Sequence, residues 1–182
     1  MHRYYRSIGT IAFSFVALAL FVVLGTSSVH AASPELSSEQ RQHIRSECTQ
    51  IKGSLSQLHA SDALLRVNRG QVYESMTSKL MTPFNTRLST SGLDNKAMTT
   101  HTLQYQSALV AFRNDYILYE QKTSEALRID CGQEPARFYQ AILDARDLRS
   151  TVHDDVQKLH RIINDYGDAV GDFLLNYKRL AN

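Results

Sequence analysis

Cys48 and Cys131 are the only cysteines in the chain, and a pair of thiols can bridge or exchange electrons. Redox exchange favours a close, reactive pair such as Cys-x-x-Cys, which is missing here. Their midpoint falls inside the polar run Ser89-Thr90-Ser91-Gly92. Segments folded back on each other at that turn bring the two thiols level, so a structural disulfide is expected, with a buried free pair as the alternative. Closing so long a loop restrains the unfolded chain by about 4 kcal/mol in the chain-entropy model. Folding a third segment back near Cys131–Gln133 sets Arg149 opposite Tyr116, and the first turn sets Tyr116 level with Asp62. The expectation is a buried Asp62/Arg149 polar layer that crosses a helical bundle and fixes its register; the alternative has both side chains reaching for water.

The remaining reactive residues point to no chemistry of their own. His153 and His160 share a helical face, but about 10 Å of rise separates them and zinc takes ligands near 2 Å. Asp165, Asp168 and Asp172 form an acidic strip, yet a straight helix spreads oxygens that calcium needs gathered in a tight loop. Tyr105, Tyr116, Tyr119, Tyr166 and Tyr177 fall at seam positions and are read as core, with hydroxyls reaching the edge of a bundle. No G-x-S-x-G, H-E-x-x-H, phosphate loop, dinucleotide glycine fingerprint or E-x-x-H motif occurs. A non-enzymatic protein without metal or cofactor is expected; a site assembled from distant residues is the exception to watch for.

The elements that must position these residues follow from apolar spacing. Ser37 with Gln40 makes a capping box, and Ile44, Cys48, Ile51, Leu55, Leu58, Leu65, Val72 and Met76 recur on steps of four and three. This predicts a first helix over about 38–82, kinked or ended by Pro83. Asp94 is the next N-cap, with Leu93 and Met98 placed as a hydrophobic staple, and a second helix over 94–130 closes at Cys131-Gly132. Pro135 suits the first turn of a third, over 135–181, whose seam runs from Phe138 to Leu180 with Arg149 as its one interruption. The fold class is all-α: an elongated antiparallel three-helix bundle or coiled coil.

Before this bundle, Arg3 and Arg6 precede an apolar run from Ile8 to Gly25, then Val29-His30-Ala31, a small-residue cleavage pattern. The run exceeds the usual core of a cleaved signal and approaches the roughly 20 residues that span a bilayer. Residues 1–31 therefore suit either a cleaved signal peptide or a retained anchor, with membrane contact through residues 8–25 in the second case. Both readings export residues 32–182 as one domain. That domain keeps 18 of the 20 Lys+Arg against all 18 Asp+Glu. A balanced charge without a basic stripe argues against nucleic-acid binding.

The stretches Arg66 to Met81 (RVNRGQVYESMTSKLM), Phe112 to Cys131 (FRNDYILYEQKTSEALRIDC) and Val152 to His160 (VHDDVQKLH) resemble uncharacterised exported helical proteins of ultrasmall, host-attached candidate-phylum bacteria. The resemblance covers most of the domain and implies no activity. LSSEQRQ, at Leu36 to Gln42, also resembles the helix start of small periplasmic helical chaperones. The functional expectation is an exported envelope or cell-surface scaffold that binds a protein partner or itself. A periplasmic-type chaperone is the alternative, distinguished by an exposed apolar concave face; an enzyme with a divergent site is the third reading.

Overall fold

Ser37 and Gln40 start the first helix in the computed structural model, which describes residues 35–181. Gln40 N–H donates to Ser37 Oγ at 3.1 Å and Ser37 N–H to Gln40 Oε1 at 2.8 Å, so two otherwise orphaned donors are satisfied reciprocally. The expected signal peptide or anchor at residues 1–31 lies outside the described residues. All elements are helical: α1 (Ser38–Ser46), α2 (Cys48–Ser75), a π-helical turn (Met76–Met81), α3 (Thr82–Thr90), α4 (Lys96–Arg128) and α5 (Pro135–Ala181). Among the described residues no strand occurs, and no helix is long and apolar enough to cross a membrane.

The expected first helix over 38–82 is thus interrupted at Glu47 and extended to Thr90. Pro83 does not end it. In the widened turn Thr82 N–H donates to Thr77 O, five residues back, which shifts the hydrogen-bond ladder just ahead of the proline. Pro83 then sits in the first turn of α3, where a missing N–H breaks no bond. Gly92 closes α3 with φ of 70°, a left-handed conformation that glycine adopts without penalty. Its N–H donates to Ser89 O at 3.0 Å and Leu93 N–H to Leu88 O at 2.9 Å, while Leu93 packs on the cluster that holds Leu88.

The cap of α4 is Asn95 rather than Asp94; the Asp94 carboxylate accepts from Lys96 N–H at 3.0 Å, and the Asn95 amide donates to Asn85 O at 2.7 Å. At the far end α4 stops at Arg128, before the expected Cys131-Gly132 closure. Gly132 does not take a left-handed conformation there. Instead Asp130 Oδ1 accepts from Gly132 N–H and Gln133 N–H at 2.9 and 3.2 Å, and this carboxylate organises the turn into α5.

Two apolar clusters hold the helices. Around the disulfide, Ile44, Ala126, Ile129, Phe138 and Ala141 pack with Cys131. Toward the Gly92 turn, Tyr105, Phe112, Leu159, Ile162 and Tyr166 form the larger cluster with Tyr73, Met81 and Leu88. Buried Asn85 ties this end together: its amide donates to Thr102 Oγ1 at 2.8 Å and its carbonyl oxygen accepts from Tyr166 O–H at 3.0 Å. No interior amide is left unpaired by that network.

The seam expected of the first helix is only partly covered. Leu58, Leu65 and Val72 lie at the predicted spacing but are exposed, and Tyr73 is the one buried residue of α2. On α5 the seam likewise outruns its partners: Tyr177 is exposed and Leu180 is 89% exposed. Helical periodicity locates a stripe, but packing requires a neighbour opposite it.

Candidate functional site

Cys48 and Cys131 form a disulfide with Cα atoms 5.5 Å apart, joining the first turn of α2 to the loop after α4. Beyond that bridge α2 reaches α4 through Lys52–Ile129 O, His59–Glu120 and Glu74–Arg113, and it reaches the α4–α5 pair together at two latches. At the first, Arg149 Nε donates to Asp62 Oδ2 at 2.8 Å, Arg149 Nη2 donates to Oδ1 at 3.3 Å, and Tyr119 O–H donates to Oδ2 at 2.7 Å. One carboxylate therefore holds all three helices. Burial raises the Asp62 carboxyl, but the donors on Arg149 and Tyr119 overcome it and hold the group below its ordinary value. The same contacts act on the donors. Burial, then the hydrogen bond to Asp62 and its charge, pushes Tyr119 up to about 12, and the Asp62 hydrogen bond raises Arg149.

The layer is less buried than the register implies. The Asp62 side chain is 11% exposed whereas that of Arg149 is 52% exposed, so the pair joins α2, α4 and α5 at their edge instead of crossing a core between them. A guanidinium keeps most of its hydration in that position, while the carboxylate receives bonds that replace the water it lost.

The second latch is aromatic. Tyr73 packs edge-on against Phe112 with ring centroids 5.6 Å apart, its hydroxyl lies 3.3 Å from His160 Nε2, and Tyr105 O–H donates to Tyr73 O at 3.0 Å. Asp62 and Tyr73 are eleven residues apart on α2, roughly 16 Å at 1.5 Å per residue. Between them α2 stands off from the other helices. The resulting groove encloses about 650 Å³, a size suited to one small ligand.

Its floor is apolar, built from Phe112 and Tyr116 on α4 with Val152 and Val156 on α5. Its rims are cationic: Arg66 and Arg69 project from α2, Arg146 and Arg149 from α5. Asp62 is the one carboxylate on the lining, and Arg149 already occupies it. Among the described residues Arg66, Arg69 and Arg146 have no carboxylate partner. Arg66 sits over the Tyr116 ring, 5.3 Å from its centroid, a contact that holds the cation near the groove. Tyr116 itself is 7% exposed, and its hydroxyl is buried without a hydrogen-bond partner.

The histidines and the aspartate strip, for which the residue pattern predicts no site, lie apart from each other. His153 and His160 both line the groove, on its rim rather than around a metal. Asp165, Asp168 and Asp172 border a separate hollow with Lys96 and His101. Among the described residues no cluster of three or more His, Cys, Asp or Glu is arranged to hold a metal ion. The rim arginines escape a seam analysis because they flank the apolar stripe. The signal that marks them is a repeated arginine pair, Arg66/Arg69 and Arg146/Arg149, each spaced to share one helical face. No protein-family model matches the chain, and comparisons with curated proteins and with solved structures give no significant match, so the groove's own chemistry must indicate its role.

Proposed function

We propose that the chain is a non-enzymatic exported protein of the cell envelope or surface that works by binding. In this reading residues 32–182 form an elongated antiparallel three-helix bundle, and residues 1–31 direct or tether it outside the cytoplasm. The observation that carries it is the open groove held between two latches. A helix fixed at both ends and lifted in the middle leaves an accessible, pre-formed concavity, which is what a binding protein requires. The Cys48–Cys131 bridge supports export, since disulfides persist in oxidising compartments.

A protein partner or a second copy has a face of its own. Leu103, Val110 and Ile117 recur every seven residues on α4, exposed and away from its buried side. That repeat suits knobs-into-holes contact with another helix. The chaperone reading gains from the exposed Leu58, Leu65 and Val72, which give the groove side an apolar margin. The non-enzymatic reading draws support from Asp62, whose oxygens are committed to Arg149 and Tyr119 rather than free for proton transfer.

Fractionation of the native cells, with a photo-crosslinker at Val110, tests this reading. The chain is expected in the envelope or outside it, oxidised at Cys48–Cys131, and crosslinked to a defined protein or to itself. A reduced cytosolic chain would overturn export. Suppression of aggregation of several unrelated unfolded proteins would shift the reading to the chaperone.

A further inference from the structure

The groove between the latches presents donors far in excess of acceptors. Arg66, Arg69 and Arg146 bring guanidinium groups without a carboxylate partner, while the single lining carboxylate is saturated by Arg149 and Tyr119. Guanidinium groups lining an open rim pair best with an anion, so the natural complement is a ligand with acidic, acceptor-rich chemistry at one end. Below the rim, Leu65, Phe112, Val152 and Val156 form an apolar track. The complement of that track is a body needing no hydrogen bonds.

An extended peptide does not fit this pattern. It would bring a backbone N–H at nearly every residue into a groove whose helical walls have their own carbonyls engaged. An α-helix is satisfied internally, but with side chains it is about 10 Å thick, and it would meet the rim arginines only through acidic side chains of its own. A single acyl chain fits both constraints. It occupies about half of a hydrocarbon core some 30 Å thick, roughly 15 Å, close to the distance between the latches.

From charge, donor count and length we infer that the groove binds a long-chain fatty carboxylate, its chain along Phe112, Val152 and Val156 and its head group against Arg66 and Arg69. Guanidinium groups take a carboxylate through paired, charge-assisted hydrogen bonds, which fixes the head group at the rim. This deepens the reading that the protein works by binding, and it rests on that reading. It does not depend on which protein partner the bundle engages.

Titration of the full chain with myristate below its micellar concentration tests the assignment, followed by calorimetry and by the NMR signals of Tyr116. One saturable site is expected, with Kd rising as salt is added. The uncharged monoacylglycerol of the same chain length should bind at least tenfold more weakly, and acetate not measurably. Arg66→Ala combined with Arg69→Ala alters exposed or half-buried side chains and, with only the Arg66 contact to the Tyr116 ring lost, should lower the melting temperature slightly while the chain stays folded. It should weaken myristate at least tenfold without weakening the uncharged amphiphile, which separates the groove from any binding to residues 8–25. Equal affinity for charged and uncharged chains, or no effect of the arginine replacements, overturns the assignment. Preference for an acidic peptide over myristate also overturns it, yet leaves the protein a binding protein. Failure of every ligand, together with failure of the crosslinking experiment, removes both readings.

Discussion

The two faces of α4 that meet other helices are built on different principles. Toward α5 the contact is broad and mainly apolar: Ala108 and Leu109 of α4 are buried in one cluster with Leu159, Ile162 and Tyr166 of α5. Toward α2 the contact is made at separate points: a disulfide, a carboxylate latch and an aromatic latch, with polar pairs such as Glu74–Arg113 beside them and an open groove between the two latches. A helix pair zipped by apolar side chains is stable and closed. A helix pinned at separated points can leave space for a ligand, at the cost of needing its pins.

Removing a pin is the largest expected break in that contrast. Replacing both cysteines by serine should destabilise the protein by about 4 kcal/mol, because 83 residues separate the bridged positions and the unfolded chain regains that loop entropy. Hydrogen exchange should locate the loss. Protection is expected to fall first in α1 and α2, while α4 and α5 keep theirs until global unfolding. Uniform loss across all helices would show that α2 is not a separately held element.

Core truncation sharpens the same comparison from the other side. Leu159→Ala empties space in the closed seam and should cost about 3 kcal/mol by denaturant titration. Leu65→Ala, at a position of the same type on the groove side but 52% exposed, should cost less than about 0.5 kcal/mol. Similar losses at the two sites would mean that the groove closes in solution.

Much of this contrast is absent from the sequence pattern. The steps of four and three mark Leu65 and Leu159 alike as seam residues, because periodicity reports a stripe and not the distance to its neighbour. The third helix is legible end to end, since Pro135 and an apolar rhythm broken only at Arg149 locate it without tertiary help. The first is not. Pro83 signals a break in the ladder, but nothing local says that a π turn absorbs the missing N–H and lets the helix continue to Thr90. Hairpin counting from Cys48 and Cys131 does place Asp62 beside Arg149, because helical rise converts sequence distance into height. It leaves open how far α2 stands from the hairpin, and that separation makes the groove.

The smallest expected effect probes an inversion within the comparison. The loosely held side contains the better compensated carboxylate, Asp62, whereas Asp155 on α5 shares a site in the seam with Asp115 on α4. Burial, then the hydrogen bond and charge of Asp115, push the Asp155 carboxyl up to about 6, against a weaker pull from Lys158. Its Oδ2 is buried without a donor. A raised value means that the folded state holds the proton more tightly than the unfolded chain. The stabilisation is therefore complete below about 3.8 and lost as pH rises through about 6. Asp155→Asn keeps a donor toward Asp115 and removes the charge. Solvent screens so partly exposed a pair, so the variant should be more stable at pH 7 by only about 1 kcal/mol. Between pH 4 and pH 6.5 its melting temperature should fall less steeply than that of the parent, and at pH 4 the two should converge. A parent-like slope in the variant would place the titration elsewhere and leave the closed seam without its repulsive pair, making the two faces of α4 differ in packing alone.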